Sequence, residues 1–234
     1  MYTLDPKELP EYIWDYETII GKKIEVDRSA YSDLVGYCME LIPQTFESYA
    51  AILNPFYISN TIIDELKIIQ IDNRFRSLQY GQSYYGVSWF SLYTALGINF
   101  NPLDLFQVQG PIESKGRENN GILFPGEGII EDELIKAILS TSREHYSSIN
   151  EFRIFFNFLM TAEVTSNYYF SCTDQEVFHI KHSRQFHSGP SIIHTPNEKW
   201  LAMTNYDSDV SIIGGETQFI DDLCRKEDQY FVKV

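Results

Sequence analysis

The sequence predicts an α+β fold. A single domain over residues 1–234 has helices first, then a mostly antiparallel sheet, with a short helix near the C-terminus. Three observations predict it. Apolar side chains recur at three- and four-residue spacing up to His145. Short aromatic and β-branched runs dominate after His145. And 44% hydrophobic with 22% charged residues in a 234-residue chain suits a molecule with a sizeable core.

In order, Lys23-Ile24-Glu25-Val26 reads as a short strand. From Ser32, the spacing of Leu34, Val35, Cys38, Leu41 and Ile42 suits an amphipathic helix. Pro43 ends it or opens a second helix carrying Phe46, Tyr49, Ala50 and Leu53, which Asn54-Pro55 closes. Asn60 caps a short helix running to Leu66, and the β-branched stretch at 67–71 reads as a strand. Gly81 to Gly86 reads as a turn feeding a helix with Trp89, Phe90, Leu92, Tyr93 and Leu96 on one stripe. Glycine, proline and asparagine punctuate the stretch that follows, so an exposed loop or insertion is expected at about 107–126. The clearest helix spans 127–145, with acids in its first turn and Arg143 and His145 in its last. Strands are expected at 153–160, 168–172, 176–182, 199–206 and 210–213. A helix at 218–224 and a strand at 230–234 complete the chain.

Charge is the strongest compositional signal: 33 acidic against 18 basic residues give a net charge of −15, beside 16 Tyr, 16 Phe and 3 Trp. Such a surface repels nucleic acid and anionic membranes and attracts basic partners. The N-terminus lacks a basic region followed by an apolar run, and no stretch approaches the length of a spanning helix. Cys38, Cys172 and Cys224 are odd in number and widely spaced, so neither a disulfide framework nor a zinc knuckle is expected. A soluble cytoplasmic protein follows from these readings.

No nucleophile motif occurs, and no cofactor is called for. His179, His182, His187 and His194 crowd one stretch, with His179 and His187 the nearest to metal ligands. On an alternating strand, however, His179 and His182 face opposite sides. Asp207-Ser208-Asp209 with Glu216, Asp221 and Asp222 offers oxygen ligands but lacks calcium-loop spacing. Gly214-Gly215 before a helix hints at a phosphate cradle. With no lysine following and Glu216 opposing an anion, a tight turn with positive φ explains the pair more simply.

Two blocks carry a family resemblance. The later one comprises Gly189-Pro190, Pro196, Trp200, Asp207 and Ile213-Gly214-Gly215; the earlier one is Phe46-Glu47-Ser48-Tyr49-Ala50 followed by Leu53-Asn54-Pro55. Together they resemble a bacterial family, common in actinobacteria, whose members carry a Ser-Pro-x-x-Trp-Trp-Pro-x-Asp block and a Thr-Tyr-Val-Gly-Gly-Ser turn. Asn54 stands where that family has a histidine. The resemblance implies a shared fold and, as the family has no assigned activity, no catalytic residues.

The functional expectation is a non-catalytic protein that engages a basic protein through an acidic, aromatic face, most concretely an immunity or inhibitor protein. Trp200, Asp207, Asp209 and Glu216 are the expected contact residues. The alternative is a small-molecule binder or metal-dependent hydrolase with its site in the C-terminal strands. Exposed aromatics also suit contact between two copies of the chain.

Overall fold

The computed structural model describes residues 2–4, 39, 42–79, 81–101, 121–156, 167–186, 189–204 and 208–234. The expected strand at 23–26, the helix from Ser32 (Met39 and Ile42 apart), most of the 107–126 loop, Asp207 and His187 lie outside them.

Among the described residues, twelve strands form two antiparallel sheets. The larger contains β1 (Tyr2–Thr3), β2 (Ser48–Leu53), β7 (Phe152–Phe156), β8 (Tyr168–Cys172), β9 (Ile192–His194), β10 (Trp200–Thr204), β11 (Val210–Gly215) and β12 (Phe231–Lys233). Their order is β1-β8-β7-β9-β10-β11-β2-β12. The smaller sheet contains β3 (Phe56–Ser59), β4 (Asp72–Gln79), β5 (Gln82–Val87) and β6 (Ile122–Leu123), in the order β4-β5-β3-β6. Among the described residues, five helices accompany them: α1 (Asn60–Leu66), α2 (Trp89–Leu96), α3 (Asp132–His145), α4 (Asp174–Lys181) and α5 (Thr217–Lys226). The α+β class and the antiparallel pairing are as the sequence predicts. Among the described residues, though, the helices do not precede the strands but interleave with them.

The larger sheet is buried on both faces, and its strands sort their side chains with period two. Ala50, Ile52, Trp200, Ala202 and Ile213 join Leu134 and Ile138 of α3, Val177 and Ile180 of α4, and Phe219 and Leu223 of α5. The intervening Ala51, Leu53, Leu201, Met203 and Ile212 pack on Phe56, Ile58, Trp89 and Leu92 of the smaller sheet and α2. Three layers result: helices α3, α4 and α5, then the long sheet, then the short sheet with α1 and α2, the short sheet also reaching the helix side through Tyr57 and Phe75.

Several expectations are corrected. Residues 46–53 do not form a helix. Ser48–Leu53 is a central strand paired with β11 on one side and β12 on the other. Its helical spacing was a coincidence of burial on both faces. The strand expected at 67–71 begins only at Asp72, because Lys67 takes a left-handed conformation (φ 53) that ends α1. Ser59, not Asn60, occupies the cap position of α1. The strand expected at 176–182 is α4, opened by Glu176, whose carboxylate accepts from the Thr173 N–H at 2.8 Å. Gly214 and Gly215 make no turn; they lie inside β11 without positive φ. A Cβ on Gly214 would sit 2.5 Å from the Phe46 ring, so the glycine is required by close packing. Gly97 is the helix-ending case, left-handed (φ 70) at the end of α2. No helix among the described residues is long and apolar enough to cross a membrane.

Candidate functional site

Among the described residues, a cleft of about 510 Å³ lies where the smaller sheet meets the start of α3 and the end of α4. That is within the usual range for small-molecule sites, about 300–1,000 Å³. Its position follows from Asn54, fully buried in the link between β2 and β3. The Asn54 Nδ2 donates to the Ile129 carbonyl at 2.7 Å, and its Oδ1 accepts from the Glu131 N–H at 3.0 Å. Its own carbonyl accepts from the Trp89 indole N–H at 2.7 Å. One residue thereby ties the start of α3 and the indole of α2 to the link between the two sheets. Gly189 N–H donating to Gly128 O, and Gly128 N–H donating to Ser208 O, fix the same loop from the other side.

The α3 wall of the cleft carries Glu131, Asp132 and Glu133, favourably placed at the positive end of the helix. Asp132 is bridged by the Lys181 ammonium at 2.5 Å and His182 Nε2 at 2.7 Å. The Lys181 Nζ also donates to Ile130 O at 2.6 Å, and its side chain is only 8% exposed. Burial raises the Asp132 pKa, but the hydrogen bonds and charges of Lys181 and His182 outweigh it and hold the carboxyl below its usual range. Tyr57, from β3, is hydrogen-bonded to Glu131. Burial and then the Glu131 and Asp132 charges push its phenol far above the ordinary value.

The β4 wall carries Arg74 and Arg76. Arg74 is gripped by Asp72 and Glu227, each at 2.7 Å. Arg76 is exposed; among the described residues its guanidinium donates to the Asn73 side chain and lies 5.6 Å over the Tyr85 ring. Arg184, just beyond α4, is exposed at the mouth.

Of the expected contact residues and nearest metal candidates, those described, Trp200, Asp209, Glu216 and His179, do not line the cleft. Trp200 is fully buried, its indole N–H donated to Ser142 Oγ at 2.7 Å and its ring 6.1 Å from Phe219. It is a core residue and presents no surface to a partner. Glu216 stands before α5 and pairs with Lys199 at 2.8 Å, while Asp209 is half-buried beside Tyr93, so the two do not form one face with Trp200. His179 is exposed on α4, where helical spacing brings His182 onto its side, but His182 is committed to Asp132. His194 is buried between Tyr169 and Thr195. No group of three or more metal-ligating side chains gathers among the described residues. Burial, and next the Glu176 charge, push the Cys172 thiol up to about 12. Burial followed by Asp221 takes Cys224 to about 11, so neither is primed as a nucleophile.

No family model matches this chain, and no curated protein or solved structure matches it either.

Sequence reasoning missed the cleft because its walls come from four separate stretches of chain. The one local signal was Arg74-Phe75-Arg76, a close basic pair in an acidic chain.

Proposed function

We propose that this chain is a non-catalytic binding protein, with the cleft between β4, α3 and α4 as the seat of binding. The observation supporting this is the pairing of ionisable groups along the cleft: Asp132 with Lys181 and His182, Arg74 with Asp72 and Glu227, and Tyr57 with Glu131. A general acid or base needs a proton exchangeable near neutral pH. Asp132 is held below its range and Tyr57 far above its own. Groups so arranged present charge and shape.

The test assays the purified protein against chromogenic ester and phosphoester substrates, and in parallel analyses it by native mass spectrometry after purification from its own host. A retained ligand or partner is expected, lost when Ser183 at the cleft edge is changed to Trp. Turnover that disappears with Asp132→Asn would overturn the proposal.

Net charge favours a second reading, in which the bound species is a basic protein and this chain is its immunity-type inhibitor. A charge of −15 would speed encounter with such a partner at low salt. Pull-down from the host would then recover a basic protein whose complex dissociates as salt rises. Recovery that salt does not affect would discard this reading.

A further inference from the structure

Among the described residues, Arg74, Lys136, Arg143, Arg153, Lys181, Lys199, Arg225, Lys226 and Lys233 each stand against a carboxylate. Lys67, Arg76 and Arg184 do not. With acids in such excess over bases, an unpaired guanidinium is unusual, and two of the three unpaired cations line one cleft. Lys67 lies away from it, against the groove by Ile69 and Phe90.

We infer that the cleft binds the oxyanion group of a small molecule, a phosphate or a carboxylate, through Arg76 and Arg184; the inference rests on the binding reading above. Guanidinium groups are the side chains best suited to this work, since their planar donors match both anions in a two-pronged arrangement. Arg76 comes from β4 and Arg184 from just beyond the end of α4, so the two line one cleft from different elements. Lys181 supports them from within: two of its three N–H groups go to Asp132 and Ile130, leaving one for a ligand. Opposite stands Glu131, whose Tyr57 contact leaves acceptor capacity on its carboxylate. A ligand with a hydroxyl or amine beside its oxyanion would satisfy both walls.

The experiment follows backbone amide shifts of the ¹⁵N-labelled full chain at constant ionic strength, with sodium chloride as balancing salt. The probes are inorganic phosphate, succinate and a tetralysine peptide. Saturable shifts near residues 74–76 and 181–184 are expected with phosphate or succinate, and whichever saturates first identifies the source of the anion. Arg76→Gln and Arg184→Gln should each weaken binding about tenfold, as loss of a charge-assisted bond predicts, and Lys67→Gln should leave it unchanged. Absence of saturation with both anions, or equal affinity in the doubly substituted protein, overturns the inference. If tetralysine alone saturates shifts at 131–133, the oxyanion assignment falls while the binding reading stands. If no probe binds and native mass spectrometry finds nothing retained, both fall.

Discussion

Asn54 shows how much one residue can position. It is fully buried, and truncating it to Ala would leave the Glu131 N–H and the Ile129 carbonyl without partners inside the protein. An orphaned buried group costs about 1–3 kcal/mol, so Asn54→Ala should lower unfolding free energy by about 2–4 kcal/mol in a denaturant titration. Because the same bonds set the start of α3, the variant should also weaken any cleft ligand. His194 gives a pH-dependent counterpart. Its Nδ1 faces the Thr195 carbonyl, which can only accept, so Nδ1 carries the proton and Nε2 accepts from the Tyr169 hydroxyl at 3.1 Å. Burial, and then the nearby Arg153 charge working against a backbone bond that favours the cation, pull the imidazole down to about 4 from 6.5. The unfolded chain therefore binds the extra proton first. The stabilisation is complete above pH 6.5 and is lost as pH falls from there toward 4. A shift of that size corresponds to about 3 kcal/mol. Carboxylates titrate over part of this range, so the measurement is the stability difference between the native protein and His194→Gln. That difference should shrink as the solution is acidified; a constant difference would show that His194 does not titrate on unfolding.

At the scale of elements, the interior of β11 is the most demanding. Gly214 passes the Phe46 and Tyr49 rings, and an added Cβ would lie 2.5 and 2.8 Å from them. Tyr49 cannot easily swing aside, since its hydroxyl donates to Pro43 O and accepts from the Phe46 N–H. Gly214→Val should cost about 1–3 kcal/mol, the usual range for overpacking, measured as a lower denaturation midpoint with unchanged slope. The same burial explains which elements the sequence revealed. Trp89–Leu96, Asp132–His145 and Tyr168–Cys172 were legible because their apolar patterns match their conformations and their ends carry recognisable signals. Ser48–Leu53 was not. A strand buried on both faces has no polar positions to mark period two, and the spacing of Phe46, Tyr49, Ala50 and Leu53 then imitates a helix. At α4, Phe178 beside Val177 and Ile180 suggested alternation, while the decisive signal, Thr173 followed three residues later by Glu176, went unused. The cleft was least legible of all. Arg76, Asp132 and Arg184 are distant in sequence, and only the packing of α3 and α4 beside the smaller sheet brings them to one concavity.

For the whole molecule, the three-layer arrangement dictates where stability resides. Strands β10, β11 and β2 pair on both sides and are covered on both faces, so their ladder bonds open only when all three layers come apart. β4 is different. It is the edge of the smaller sheet, its pairing with β5 shifts register between Asp72 and Arg76, and most of its side chains are exposed. Its charged side chains and its irregularity are the usual means of keeping an edge from pairing with another chain. Hydrogen exchange should therefore separate the two. The amides of Ala51, Ala202 and Ile212 are expected to exchange with the free energy of global unfolding, while those of β4 that face away from β5 exchange far sooner through local opening. Arg76 sits on that loosely held edge, so binding at the cleft should add protection along β4 and leave the central strands unchanged. Equal protection of β4 and β11 in the free protein would mean that the edge is covered in solution, as it would be if two copies joined their small sheets.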